Sequence, residues 1–472
     1  MEELIWQPAR EIVRLVRERQ ICAVDVMSAY YDQIEHLNPR LNAIVNLIPR
    51  NDAMALAKSA DLKTQRGEPT GALYGLPMAP KDLHEVKGFP TTWGFAPWAN
   101  RVAESDGELA ARQRRAGALF IGKTNVPEFG LGSHTFNSVF GTTLNPYDLN
   151  KTPGGSSGGA AAGLATAMLP LADGSDMGGS LRNPASFCNV VGFRPSIGRV
   201  PEQRSFGWFG RISTAGPMAR TVADAALLLS VQAGPMTGDP LSLPEPGRAF
   251  EQPPDIDPTS LRLAWSTDLD LVPVDTEVAT LIERAASVFE ALGSRTVNAH
   301  PDLTGAMDVF QTQRAASLAV KGRALDGSLP NWRDHAKDTA VWNIEQGFAL
   351  SAEEILRSEI DRNAIYQRVA AFFEDCDALL LPAAQVPPFD KDLDWVHEIN
   401  GQSMHTYIDW MTICCAISIT GLPAISVPCG FTAEGLPVGL QIVGRPRGDL
   451  NLLGIAHAFE QATLHHTQRP SC

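Results

Sequence analysis

The chain lacks the features that mark several common kinds of protein. Its seven cysteines, Cys22, Cys188, Cys376, Cys414, Cys415, Cys429 and Cys472, are scattered, odd in number and without C-x-x-C spacing. That pattern argues against a disulfide framework and fits reduced thiols in a cytosol, so a cytoplasmic location is expected. No stretch supplies the roughly 20 consecutive strongly apolar residues of a membrane-spanning helix. The two long uncharged runs, 152–172 and 411–433, are rich in glycine and alanine or broken by Gly421, Pro423, Pro428 and Gly430, and read as buried core. Residues 1–20 mix Glu2, Glu3, Arg10, Glu11 and Arg14 into their apolar positions, which predicts an amphipathic helix and no secretory leader. Basic charge is scarce: 39 Lys and Arg stand against 53 Asp and Glu, a net charge of −14. Such a field attracts neither nucleic acid nor an anionic membrane surface, and neither is expected as a partner.

What remains is a globular composition, 472 residues with 44% hydrophobic and 19% charged side chains, ample for a sizeable core. Helical spacing predicts helices over 4–19 and 24–37, with Pro8 near a start and Pro39 at an end, and another over 52–65. Strand character follows at 41–47, 118–122, 190–192, 198–200, 261–266, 378–382, 424–428 and 439–444, interleaved with helices at 107–116, 221–232, 276–292, 306–373 and 451–462. Strands alternating with helices in this way predict an α/β architecture with helices on both faces of a sheet. Residues 234–258, rich in Pro, Gly and acids, read as a linker or surface excursion, and no internal repeat is visible.

The chain is organised around residues 153–184, PGGSSGGAAAGLATAMLPLADGSDMGGSLRNP, where two serine-centred glycine clusters flank a run of small apolar residues. Glycine at this density exposes backbone N–H groups and admits a ligand close to the main chain. A flexible linker would not carry Leu164, Met168, Leu169 and Leu171 between its glycines, so the run is expected to be a buried helix followed by a short strand.

Two local patterns mislead. Residues 117–124 match G-x-x-x-x-G-K-[ST] letter by letter, but the four middle residues are themselves a strand and Val126-Pro127 interrupts the helix that should receive phosphates. Gly154-Gly155-Ser156-Ser157-Gly158 matches the G-x-S-x-G nucleophile elbow, yet the residues before it, NPYDLNKT, are polar and turn-prone where a hydrophobic strand is required. Downstream histidines exist for such a reading at His397, His405, His457, His465 and His466. A third reading places a nucleophile at Ser180, directly after Asp176-Met177-Gly178-Gly179, where the N–H groups of a glycine turn lie beside a serine hydroxyl. That serine needs a base, and no histidine is close in sequence.

Gly75-Leu76-Pro77-Met78-Ala79-Pro80-Lys81-Asp82, then 154–159 (GGSSGG), then Ser175-Asp176-Met177-Gly178-Gly179-Ser180-Leu181-Arg182 resemble the amidase signature family of serine hydrolases. Further stretches, 122–129, 215–221, 421–428 and 435–441, are similar to family landmarks, whereas about 235–407 is the least recognisable. The resemblance implies the amidase signature fold, a large mostly parallel or mixed twisted central sheet covered by helices on both faces. It implies one amidase domain over 1–472, with N-terminal helices 1–66, a catalytic core at about 67–233, a variable helical region at about 234–407 and core strands with a closing helix at 408–472. The implied activity is amide hydrolysis through an acyl-enzyme, with Ser180 as nucleophile, Ser156 on a cis peptide bond as relay and Lys81 as base. Lys81 can serve only if burial lowers its pKa until a neutral fraction exists. The N–H groups of Met177, Gly178, Gly179 and Ser180 would form the oxyanion hole, Ser157, Asp176 and Arg182 would fix the turns, and Gly130 and Leu131 would line the pocket. Tyr407 and Trp410 are candidates to close it or to pack in the core. No metal or organic cofactor is implied. The expected partner is a small-molecule amide, with carbamates or anilides as related substrates, and the expected assembly is a monomer or homodimer. An amidotransferase component working with partners on a tRNA-linked substrate is the alternative, disfavoured by the acidic charge and by residues 201–211. The sequence departs from the family at Met177, where a small polar residue is commoner, and at Asn189, where glycine is; pocket shape is what those positions put in question.

Overall fold

Eight strands form one sheet in a computed structural model of the chain, which describes residues 2–203 and 210–472. Their spatial order is Arg295–Asn298, Arg262–Trp265, Ala378–Pro382, Pro437–Gly444, Ala424–Phe431, Val191–Arg194, Thr214–Ala219 and Ala172–Asp176. Of the two forms expected, mostly parallel or mixed, the sheet takes the mixed one. The first three strands pair in parallel and every later neighbour pairs antiparallel. Parallel neighbours need a crossover, and the helix Thr276–Ala291 supplies it between Arg262–Trp265 and Arg295–Asn298. A short connection suffices for the antiparallel hairpin of Ala424–Phe431 and Pro437–Gly444, which turns at Gly435 with φ +80°.

The alternation of one strand shows helices on both faces. Ala378 and Leu380 join a core with Phe289 and Phe459, from the helices Thr276–Ala291 and Asp449–Thr463. Their neighbours Leu379 and Leu381 join a second core with Phe310, Val369 and Ile413, from Ala306–Ser328, Ala352–Asp375 and Thr412–Ser418. Side chains of period two, buried on both sides, explain why this strand reads as an unbroken apolar run.

Some elements differ from expectation. Residues 198–200 form a turn, and the strand beside them spans Val191–Arg194; Gly198, at φ +89°, needs the room that a side chain would deny it. Of 41–47, only Ile44–Val45 is strand, because the preceding helix Ala23–Leu41 runs on through Pro39. Thr214–Ala219 and Arg295–Asn298 are strands that the pattern did not suggest. Residues 234–258 pack on the helix Val222–Gln232, where a Cβ at Gly247 would lie 2.1 Å from the Ser230 carbonyl oxygen. Residues 204–209 of the 201–211 segment lie outside the described residues. Among the described residues no helix is long and apolar enough to cross a membrane.

The buried helix of the organising stretch is Gly158–Ala165, GGAAAGLA, every residue of it buried. Its small side chains bring backbones together: a Cβ on Gly159 would lie 2.4 Å from the Asn125 amide nitrogen. The strand Ala172–Asp176 follows. The two serine clusters are thereby fixed at the N-terminus of a core helix and the end of a sheet strand.

Candidate functional site

Lys81 follows the short strand Pro77–Met78, which pairs in parallel with Leu119–Phe120. It is fully buried, and its backbone N–H donates to Asp173 Oδ1 at 2.9 Å. Its Nζ donates to Ser156 Oγ and Ser157 Oγ, both at 2.8 Å, and to Ser175 Oγ at 3.1 Å. Burial pushes the Lys81 pKa down to about 7, against the opposing pull of Asp176 and Asp173. An amine of that pKa is neutral in an appreciable fraction at neutral pH and can accept a proton.

The neighbouring Asp82 is braced by Lys123, whose Nζ lies 3.8 Å from Asp82 Oδ1 with both side chains buried. Lys123 also donates to the His84 carbonyl and to Thr91 Oγ1. The lysine of the phosphate-loop lookalike thus sits inside the protein, holding the segment that carries Lys81.

The Gly155–Ser156 peptide bond is cis. Two hydroxyls hold the turn around it, Thr135 Oγ1 donating to the Gly154 carbonyl at 2.8 Å and Ser133 Oγ to the Gly155 carbonyl at 2.6 Å. No strand precedes this turn, and the Ser156 hydroxyl meets a lysine; the elbow geometry is not formed.

Ser180 lies on the second turn, after Ala172–Asp176. The buried Asp176 carboxylate gathers that turn, accepting from Gly179 N at 2.9 Å, Leu181 N at 3.1 Å and Arg182 Nη2 at 2.8 Å. Burial alone would raise the Asp176 pKa, but Arg182 and Arg194 hold the carboxyl well below the usual range. Arg182 carries the connection onward to Gln441 Oε1 and Ser418 Oγ. At Gly179, φ is +114° and a Cβ would lie 2.7 Å from Asn183 Oδ1. Asn183 Nδ2 in turn donates to Ser133 Oγ at 3.0 Å, tying one serine turn to the other.

Ser156, Met177, Gly178 and Ser180 open onto one cavity of about 710 Å³. Gly130 and Leu131 line it as well, and a Cβ on Gly130 would lie 3.6 Å from Ser156 Oγ. Ser157, Asp176 and Arg182 stand behind the turns as described. Tyr407 and Trp410 are core residues: Trp410 packs on Phe187 and Phe389, and Tyr407 accepts from the cavity-lining Arg314 Nη2 at 2.6 Å. Asn189 takes up φ +54°, a backbone conformation that favours glycine. The sequence reading missed Ser133, Thr135 and Asn183, whose signal was a polar cluster in a buried loop. It also missed the far wall, Trp93 and Trp98 with Phe310, Arg314 and Lys321 of Ala306–Ser328, for which no motif exists. Among the described residues no group of three or more His, Cys, Asp or Glu side chains is gathered as a metal ion requires.

Comparison with known proteins agrees with this architecture. Residues 25–453 match the amidase family model. The chain is 34% identical over 474 residues to an acylamidase of Rhodococcus erythropolis, covering 100% of this chain and 98% of that one. It is also 34% identical over 495 residues to a glutamyl-tRNA(Gln) amidotransferase subunit of Carboxydothermus hydrogenoformans, covering 99% of each. Among solved structures, a bacterial aryl acylamidase of the amidase signature family superposes with TM-score 0.89 at 31% identity, covering 98% of this chain and 97% of that one. The chain therefore belongs to the amidase signature family of amide-hydrolysing enzymes and has its fold.

Proposed function

We propose that the chain hydrolyses the C–N bond of a small aryl or alkyl amide through an acyl-enzyme on Ser180, with Ser156 as relay and neutral Lys81 as base. The carrying observation is the buried Lys81 amine, 2.8 Å from Ser156 Oγ, with its pKa lowered to about 7. In this reading Lys81 takes the Ser156 proton as Ser156 takes that of Ser180, and Ser180 Oγ bonds to the carbonyl carbon. The N–H groups of Met177, Gly178 and Ser180 receive the oxyanion, since that of Gly179 is already donated to Asp176. The C–N bond then breaks as the proton returns through Ser156 to the leaving nitrogen. Water repeats the relay on the acyl ester and releases the acid.

The acylamidase and aryl acylamidase likenesses favour amide or anilide substrates, and carbamates are open to the same chemistry. The proposal includes one cytoplasmic domain working as monomer or homodimer without nucleic acid, metal or organic cofactor. A second reading, the amidotransferase component, is favoured by the 34% identity to such a protein over nearly the whole of both chains. Turnover of aryl and alkyl amides by the purified chain alone selects the first reading, and dependence on partner proteins selects the second. A fluorophosphonate probe tests the nucleophile: Ser180→Ala is expected to abolish labelling with the fold intact. Labelling that persists in Ser180→Ala and disappears in Ser156→Ala would move the nucleophile to Ser156.

A further inference from the structure

Lys321 lines the cavity, partly buried on the helix Ala306–Ser328. Its Nζ lies 4.0 Å from the centroid of the Trp93 ring and 5.2 Å from that of Phe129. A ring face attracts the charge but accepts none of the three ammonium protons in a conventional hydrogen bond. No hydrogen bond or ion pair joins Lys321 to any described residue. Burial, and then Arg314, push its pKa down to about 7. The ammonium there is short of the anion that would stabilise it.

The same is true further up the helix. Arg314 also lines the cavity and donates to Asn343 Oδ1 and Tyr407 Oη, with no carboxylate partner among the described residues. The acids that line the cavity are differently placed. Glu85 pairs with Arg101, Asp106 with Arg114, Glu108 with Arg112 and Asp176 with Arg182, at 2.6, 2.7, 2.7 and 2.8 Å, and the remaining acid, Glu202, is not free. In a chain of net charge −14, Lys321 and Arg314 are two cations of this cavity that have no carboxylate partner among the described residues.

The helix also sets a length. Its Phe310 abuts the Ser180 turn, for a Cβ on Gly178 would lie 2.8 Å from Phe310 Cζ. At about 1.5 Å of rise per residue, Lys321 lies roughly 16 Å along the axis from Phe310, and its side chain leans back toward the helix N-terminus.

Resting on the amidase reading, we infer that Lys321, assisted by Arg314, is a specificity-determining residue that binds a carboxylate borne by the substrate at the end remote from the scissile bond. The substrate class is then an elongated amide with an apolar or aromatic body, lying along Trp93 and Phe129, and an anionic tail.

The test is binding of 4-phenylbutyrate and its neutral counterpart 4-phenylbutan-1-ol to the intact enzyme, by calorimetry. Neither probe is an amide, so the result does not depend on turnover. The carboxylate should bind about 10-fold or more tighter than the alcohol, as a charge-assisted hydrogen bond provides. Lys321→Met should remove that preference while alcohol binding changes little, and Lys321→Arg should retain it. Equal binding of the two probes by the unaltered enzyme overturns the inference. So does a preference that survives in Lys321→Met, which would seat the carboxylate away from Lys321, at Arg314 or at the Ser180 turn. If the preference is present but no amide is hydrolysed, the anion site stands and the amidase reading falls.

Discussion

The cavity has two walls built on different principles. One is backbone: the turns at 154–157 and 176–182, fixed from behind by Lys81, Asp176, Arg182 and the Ser133 and Thr135 hydroxyls. The other is side chain: Phe310, Arg314, Leu318 and Lys321 projecting from one helix. On the first wall a single added Cβ collides, as at Gly179 with Asn183 Oδ1, 2.7 Å away. On the second, residues can change while the helix stays where it is. It is locked by glycine notches, Gly322 against Ile344 at 2.3 Å and Gly347 against the Ala315 carbonyl oxygen at 2.1 Å, both measured to an added Cβ. The contrast separates a wall suited to chemistry from a wall suited to choosing the substrate.

The sharpest way to break that contrast is Lys81→Met, which removes the proposed base and leaves the far wall alone. Loss of general-base catalysis predicts a fall in kcat of about 10²–10⁴-fold. In the unaltered enzyme, activity should rise with pH through about 7 as Lys81 becomes neutral. Stability should respond as well. Between the folded pKa near 7 and the ordinary lysine value near 10.5, the unfolded chain holds a proton on Lys81 that the folded chain lacks. Its contribution to stability therefore rises with pH across that window. Lys81→Met should gain most over the unaltered chain below pH 7 and lose that advantage toward pH 10, as thermal denaturation would read. An advantage independent of pH would mean that Lys81 is charged in the folded protein.

Asp176→Asn comes next. It leaves Arg182 and Arg194 buried without their carboxylate, a change of about 3–5 kcal/mol in stability by the general behaviour of broken buried pairs. Chemical denaturation should show that loss, and fluorophosphonate labelling of Ser180 should slow with it because Gly179 and Leu181 lose their anchor. Full stability with slowed labelling would mean that Asp176 tunes Ser180 without holding the fold.

The serine turns and Asp176 were legible in the sequence because glycine and serine clusters encode backbone shape within a few neighbouring positions, whereas Lys81 was reached only through the resemblance of 75–82 to a family motif. Local chemistry of that kind survives translation into one dimension, but the meeting of Lys81 with Ser156, 75 residues further on, does not. The strand Thr214–Ala219 was hidden by Pro217, a residue that ordinarily argues against a central strand. Arg295–Asn298, an edge strand of mostly exposed residues, carries no apolar alternation to read. Lys321 was invisible for a different reason. On a helix of ordinary composition nothing distinguishes it from a surface lysine until Trp93 and Phe129, about two hundred residues away in sequence, are placed around it.

The gentlest probe is Phe310→Leu, where the side-chain wall touches the backbone wall. Phe310 is buried and packs against Gly178, so shortening it opens space beside the turn without altering any hydrogen bond recorded there. A volume change of this size between apolar residues costs about 1 kcal/mol. If the walls divide their work as their construction suggests, KM across a series of amides should shift toward bulkier acyl or aryl groups while kcat for a given small amide stays within about three-fold, less than 1 kcal/mol of barrier. A fall in kcat approaching that of Lys81→Met would show the reverse: the helix sets the shape of the Ser180 turn, and chemistry and substrate choice are one mechanical unit.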